Sequence, residues 1–148
     1  MITVETDPDL TFPNDLLEQA ARAALDLSGV PDADLTVVLT GDSRIQTLNR
    51  DFLGRDAPTD VLAFPADEPD PETGRRYLGD VIVSLPRAAD QAAERGHAVE
   101  AEVQLLVVHG VLHLLGHDHA EAEEKARMWA AQSEVLERLG VSPEIVHE

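Results

Sequence analysis

Hydrophobic residues along the chain follow two periods, one typical of strands and one typical of helices. Alternating or β-branched stretches predict four strands, at residues 1–6, 33–40, 59–65 and 77–86. Apolar residues three and four apart predict five helices, at residues 13–29, 41–54, 86–96, 98–116 and 120–140. Residues 66–76, ADEPDPETGRR, are acidic and contain proline, so we expect an exposed loop between antiparallel strands.

The order of these elements, β-α-β-α-β-β-α-α-α, predicts an α+β fold. We expect a single domain over residues 1–148, with a four-stranded mixed sheet packed with about five helices. Asn14 is placed to cap the first helix, and Asp42 or Ser43 to cap the second. The helix at residues 98–116 is apolar on nearly every side, so it is predicted to be buried in the middle of the fold.

The composition narrows the kinds of site that the chain can form. The chain has 148 residues and no cysteine, which excludes disulfides, thiolate metal sites and cysteine nucleophiles. Any bound metal must therefore be held by His, Asp or Glu. No apolar run is long enough to span a membrane, and no export signal is recognisable, so we expect a cytoplasmic protein with no membrane partner.

The net charge of −18 argues against generic binding of DNA or other nucleic acid, which requires a basic face. Seven of the eleven cationic residues nevertheless lie between Arg44 and Arg95. They form either a local arginine patch on an acidic body or an ordinary solvated surface, and composition alone favours the second.

Four of the six histidines fall within HGVLHLLGHDH, residues 109–119. His109 and His113 are four residues apart, which places both rings on one face of a helix, as two imidazoles need to share a metal. Gly116 is predicted to end the helix in a left-handed conformation. His119, beyond that turn, can then fold back as a third ligand. We predict a site for one zinc ion, or another divalent transition metal, with an open coordination position.

This spacing is that of the metzincin zinc proteases, so the predicted three-histidine site is metzincin-like. Metzincins carry a glutamate general base directly after the first histidine, but Gly110 holds that position here, and peptide hydrolysis is not the leading expectation. His117 and Asp118 are predicted to be turn residues or partners that orient a ligand. Glu102, two turns before His109, is either another such partner or a carboxylate at the exposed start of the helix.

Three segments together resemble the YbeY endoribonucleases, the bacterial ribosomal-RNA maturation factors. Residues 109–119 closely resemble the family signature, which usually has tyrosine where His117 stands. Residues 78–84, LGDVIVS, match its following strand, and the resemblance spans residues 34–140. The second motif of the family resembles residues 48–65, LNRDFLGRDAPTDVLAFP, including Asn49, Asp56, Thr59, Asp60 and Phe64.

The resemblance implies a zinc-type metal on His109, His113 and His119. It implies cleavage of single-stranded RNA in maturation of the small-subunit ribosomal RNA and in ribosome quality control. The expected partners are therefore ribosomal RNA or the ribosome, together with a ribosomal protein or an assembly factor.

Many members of the family have an arginine directly after the aromatic residue of the second motif, where this chain has Leu53. We expect Arg55, two residues on, to contact the phosphate instead. The alternative is that Arg55 only pairs with Asp51 or Asp56 at the surface.

Two other functions remain open. The site could serve a metal-dependent hydrolase of another substrate, a degenerate protease included. Alternatively, the histidines could only stabilise a non-catalytic ribosome-assembly or metal-binding module. Structural zinc sites have four protein ligands, so His117 or Asp118 as a fourth ligand would favour the last alternative.

Overall fold

The computed structural model describes residues 1–69, 71–72, 74–117 and 121–141. Four strands form one sheet: β1 (Ile2–Thr6), β2 (Asp34–Thr40), β3 (Val61–Pro69) and β4 (Arg76–Ser84). The helices of the described chain are α1 (Asn14–Leu27), α2 (Asp42–Leu53), α3 (Leu85–Arg95), α4 (Val99–Leu114) and α5 (Ala122–Arg138). The predicted α+β class, the order of the elements and the four-stranded mixed sheet are confirmed.

The strands lie in the order β1-β2-β4-β3, with β1, β2 and β4 parallel and β3 antiparallel to β4. The strand β3 is thus an edge strand, paired on one side only. Its register places Val61 opposite Val83 and Ala63 opposite Val81. The strand β3 continues to Pro69, and β4 already begins at Arg76. The loop predicted at residues 66–76 is therefore shorter than expected, because both of its ends belong to strands.

The helix α4 lies at the centre of the fold, as its apolar composition predicts. It packs against β3 and β4 and contacts α1, α3 and α5. Its apolar side chains join those of α1, α5 and the sheet in the main hydrophobic core. The opposite face of the sheet carries a smaller cluster under α2, formed by Val38, Ile45, Leu62 and Ile82.

Gly110 brings α4 into direct contact with the sheet. A Cβ atom at this position would lie 2.5 Å from Cγ1 of Val81 and 3.4 Å from Cγ2 of Val61. Carbon atoms pack favourably at about 3.5–4.0 Å, so a side chain at position 110 does not fit without a shift of its neighbours. The position at which a metzincin has its general base is therefore closed by packing.

The predicted caps of the first two helices are wrong. Asn14, Asp42 and Ser43 lie inside their helices, and neither helix has a side-chain cap bond. Asn14 Oδ1 instead accepts a hydrogen bond from the Thr6 hydroxyl at 2.7 Å, and Asp42 Oδ1 accepts one from the Ser84 hydroxyl at 2.6 Å. These side chains bind neighbouring strands, which competes with capping of their own helix.

Within the described ranges, no helix is long and apolar enough to cross a membrane.

Candidate functional site

The rings of His109 and His113 face each other on α4. Their Nε2 atoms are 3.1 Å apart and their ring centroids 4.7 Å apart, and both side chains are half-buried. Two nitrogens bound to one tetrahedral zinc, each at about 2.0–2.1 Å, would lie about 3.3 Å apart. The pair therefore fits two ligands of a shared ion.

The third predicted ligand, His119, lies outside the described residues, as does Asp118. Among the residues that the structure does describe, no three His, Asp or Glu side chains form a metal-binding group. The complete three-histidine site thus stays a prediction.

Gln132 of α5 sets the protonation of the first histidine. Its Oε1 lies 2.9 Å from Nδ1 of His109, and its side chain is only 1% exposed. An amide oxygen only accepts hydrogen bonds, so the proton of a neutral His109 is on Nδ1 and the lone pair is on Nε2. That is the tautomer in which Nε2 can bind a metal. The Trp129 ring meets His109 edge-on, with 5.9 Å between ring centroids.

The end of α4 has the geometry predicted for it. Gly116 has a φ of 99°, and its N–H donates to the carbonyl of His113, while the N–H of His117 donates to the carbonyl of Leu112. This is a Schellman motif, in which two amides beyond the helix satisfy its last carbonyls. The predicted left-handed glycine is therefore confirmed.

His117, directly after this turn, leaves the face that carries the histidine pair. It lines a different cavity of about 390 Å³, with Gly116, Glu121 and Arg127 among its neighbours. Whether His117 orients a ligand stays a prediction.

The histidine pair opens into a cleft at the edge of the sheet. The cleft has a volume of about 610 Å³, within the usual range of ligand pockets. One wall is α4 with the two histidines and Gly110, and another is the start of β3. Leu53, the last residue of α2, and Arg55, on the loop that follows it, close a third side. The arginine predicted to contact phosphate thus lines the same cleft as the histidines.

The loop that carries Arg55 is held against α2. The buried Asn49 side chain donates from Nδ2 to the carbonyl of Ala57 at 2.9 Å, and the backbone N–H of Arg55 donates to the carbonyl of Asn49 at 3.2 Å. Gln46 Nε2 also donates to a carboxylate oxygen of Asp56 at 3.0 Å. These bonds fix the loop at both sides of the arginine.

The Arg55 side chain is exposed and has no ion-pair partner within the described chain. Asp51 pairs with Arg50 at 3.0 Å, and Asp56 accepts the bond from Gln46. The alternative in which Arg55 only pairs with one of these two aspartates is therefore wrong. Its guanidinium has all its donors available to a phosphate.

Asp60, at the start of β3, lines the cleft beside His109. Its Oδ1 accepts the N–H of Val61 at 2.8 Å, and its Oδ2 accepts a bond from Gln91 of α3 at 3.3 Å. The carboxylate therefore ties the first residue of the strand to α3 and places a negative charge in the cleft wall.

Glu102 has contacts at the junction of α3 and α4. It is fully buried, and its Oε1 is 3.3 Å from a guanidinium nitrogen of Arg95 and 3.6 Å from Nε2 of His97. The alternative of a carboxylate at an exposed helix start is wrong. The prediction that it orients a metal ligand is not supported by either of these contacts and stays a prediction.

Two residues of the site were given no role by the sequence analysis: Gln132 was not singled out, and Asp60 was named only as part of the second motif. The signal for Gln132 was a polar residue on the buried side of an amphipathic helix, where an unpaired amide would be costly. The signal for Asp60 was an acidic residue directly before an apolar strand, inside the motif of residues 48–65.

Fold and site together define a single-domain α+β protein with a histidine cleft at a sheet edge. Its sequence and fold are similar to those of known proteins. The family described as Endoribonuclease YbeY matches residues 4–140. Relatives named Endoribonuclease YbeY are 42% identical in Chloroflexus aurantiacus, covering 97% of each chain, and 44% identical in Carboxydothermus hydrogenoformans, covering 93% of this chain and 92% of that one. The chain therefore belongs to the YbeY endoribonuclease family, as its motifs predict.

A solved structure agrees with this assignment. The solution structure of a Thermotoga maritima protein is 27% identical and covers 100% of this chain and 97% of its own, with a TM-score of 0.64. The similarity thus extends over the whole domain.

Proposed function

We propose that this chain is a metal-dependent endoribonuclease that cuts single-stranded RNA in the cytoplasm. In this proposal it acts in maturation of the small-subunit ribosomal RNA and in ribosome quality control. The observation that carries the proposal is the facing pair His109 and His113, with the tautomer of His109 set by Gln132, in a cleft that Arg55 also lines. The shared name of the relatives, Endoribonuclease YbeY, supports the reaction type.

His109, His113 and His119 would hold one zinc ion or another divalent transition metal. The donors fit because neutral imidazoles suit such metals and the chain has no thiolate to compete. Bound there, the metal would supply a Lewis acid for a phosphate oxygen or an acidified water. Gln132 contributes by keeping the Nε2 lone pair of His109 available and the ring in place.

Arg55 would bind the phosphate of the bond that is cut. Its guanidinium can donate two parallel hydrogen bonds to phosphate oxygens and stabilise the negative charge that grows in the transition state. The loop bonds made by Asn49 hold it at the rim of the cleft, which limits the entropy lost when the phosphate binds.

Proton transfer by a carboxylate on α4 is disfavoured by the packing of this helix. A glutamate at position 110, beside His109, would overlap Val81. Asp60, which precedes β3 and is not on α4, is held by hydrogen bonds from Val61 and Gln91. The chain therefore contributes positioning and charge, which are sufficient if the nucleophile is an acidified water or the RNA 2′-hydroxyl. The same packing disfavours a protease.

The acidic body disfavours tight binding of free RNA. At a net charge of −18, long-range attraction to phosphates is absent, and a single arginine at the cleft contributes little at physiological salt. We therefore propose that the ribosome, through a ribosomal protein or an assembly factor, presents the RNA to the cleft.

The test is metal content measured together with cleavage of a small-subunit ribosomal RNA fragment. We expect His113→Ala and His119→Ala to lose both metal and cleavage, while the matched variant His117→Ala keeps its metal. Casein should not be cleaved by any of them. Full RNA cleavage by metal-free protein, or loss of metal in His117→Ala but not in His119→Ala, would contradict the proposal.

A further inference from the structure

The unpaired edge of β3 runs along the cleft, and the hydrogen-bond register shows which of its backbone groups face outward. The N–H of Ser84 donates to the carbonyl of Asp60 at 2.9 Å, so these opposed residues form a hydrogen-bonded pair. In an antiparallel ladder such pairs alternate with non-bonded ones. Residues 62 and 64 therefore direct their backbone groups toward β4, and residues 61, 63 and 65 direct theirs outward.

The position of Gly79 on β4 supports this register independently. A Cβ atom there would overlap the carbonyl oxygen of Phe64, so that carbonyl points toward β4. Ala63, the preceding residue, consequently points its N–H and C=O the opposite way. Ala63 lies in the wall of the cleft that contains His109 and His113.

Among the outward-facing residues 61, 63 and 65, only Ala63 offers both a donor and an acceptor. The N–H of Val61 is taken by the Asp60 carboxylate at 2.8 Å, and Pro65 has no N–H. Within the described chain, none of the backbone hydrogen bonds outside the regular elements involves Ala63. Between residues 61 and 65, the edge therefore presents one adjacent donor–acceptor pair, on Ala63.

We propose that the N–H and C=O of Ala63 bind the Watson–Crick edge of one unpaired RNA base, beside the histidine pair. This inference rests on the proposed function and adds how single strands are selected. Each of the four RNA bases has an acceptor next to a donor on that edge, so Ala63 can bind any of them. A base that is already paired has no such groups to offer. The cleft thereby selects single strands without selecting a sequence.

The same observation disfavours an extended peptide as the occupant. Addition of a peptide strand requires donor–acceptor pairs that repeat every second residue along the edge. Here the pair at Ala63 is flanked by an occupied N–H at Val61 and by Pro65. A single planar base matches the available groups better than a strand does.

The test uses two short oligouridines in which every base carries one methyl group, and the two RNAs differ only in the position of that group. N3-methyluridine blocks the Watson–Crick edge, whereas 5-methyluridine leaves it intact. We expect wild-type protein to bind and cut the N3-methylated RNA about tenfold less well, since two hydrogen bonds are lost and a clash is added. Affinity is measured by fluorescence anisotropy and cleavage by gel electrophoresis.

The variant Ala63→Pro removes the outward N–H and leaves the ladder bonds to β4 in place, as edge positions tolerate. Its preference for the 5-methylated over the N3-methylated RNA should fall to about a third of the wild-type ratio or less, since one of the two bonds is lost. Ala63→Ser retains the N–H and should retain the ratio. If Ala63→Pro does not fold, the comparison of the two RNAs on wild-type protein still shows whether the protein binds the Watson–Crick edge.

Equal affinity and equal cleavage of the two RNAs by wild-type protein would overturn the inference. So would a peptide that displaces the RNA while the protein fails to distinguish the two methyl positions. Failure of the proposed function looks different, because neither RNA would be cut. The affinities would in that case still show whether Ala63 binds the base edge.

Discussion

The contact between Gly110 and the sheet can be tested by a substitution that has two opposite effects on the free energy of unfolding. Gly110→Ala places an alanine in the middle of a helix, and helix propensity alone would stabilise the protein by about 1 kcal/mol. The new methyl group would, however, lie 2.5 Å from Cγ1 and 3.2 Å from Cγ2 of Val81. We expect the packing effect to dominate and the variant to be less stable than the wild type.

The magnitude follows from the room available around the new methyl group. Favourable carbon contacts begin at about 3.5 Å, so α4 and β4 must separate locally by about 1 Å. Val81 is fully buried, and Cγ2 of Val61 also lies only 3.4 Å from the new methyl group. Overpacking costs about 1–3 kcal/mol, and such a short contact belongs near the upper end. After subtraction of the gain in helix propensity, the free energy of unfolding should fall by about 2 kcal/mol.

The assay is urea denaturation of metal-free protein, followed by circular dichroism. The matched control is the same substitution in a Val81→Ala background, in which both short contacts are gone. There Gly110→Ala should be neutral or stabilising, so a double-mutant cycle should give a coupling of about 2 kcal/mol. An equally stable or more stable single variant, or the same loss in both backgrounds, would refute the reasoning.

Three further substitutions test the site itself. Gly116→Ala should lower the free energy of unfolding by about 1 kcal/mol, because a φ of 99° strains any residue with a side chain. Zinc titration should show weaker binding as well. Unchanged stability of the variant would contradict this prediction. Gln132→Leu should lower zinc affinity about 10–100-fold, because the proton of His109 is then no longer held on Nδ1. Gln132→Glu keeps an acceptor and should not lower the affinity. Equal zinc affinities of the two variants in a chelator competition would show that Gln132 does not orient His109. Arg55→Ala should reduce the salt dependence of RNA binding by about one phosphate contact, with stability changed by about half a kcal/mol or less. An unchanged salt slope would remove Arg55 from phosphate binding.

The parts of the fold that depend on local pattern were predicted well. The periods of apolar residues locate every helix and strand, because burial on one face produces the period. The caps of α1 and α2 were mistaken because Asn14 and Asp42 bind Thr6 and Ser84, which lie on strands that the local sequence does not include. The end of β3 was mistaken because pairing with β4 overrides the low strand propensity of an acidic, proline-containing segment.

The site also has residues whose geometry follows from local sequence and residues whose geometry depends on distant segments. The His109 and His113 pair and the turn at Gly116 lie within one helical segment, so their geometry follows from spacing alone. Gln132 reaches His109 from 23 residues away along the chain, and Asp60 reaches the cleft from the residue directly before β3. Their roles depend on how α5 and β3 pack against α4, which spacing along the chain does not determine.

The restricted edge of β3 also affects how copies of the protein behave toward one another. An open strand edge normally invites a second molecule to add its own strand, which leads to aggregation. Here the carboxylate of Asp60 occupies one backbone donor and Pro65 lacks another, so between residues 61 and 65 an approaching strand finds one complete set of partners instead of three. Mutual repulsion between bodies of charge −18 acts in the same direction. Both features therefore disfavour self-association of the protein through the edge that borders the cleft.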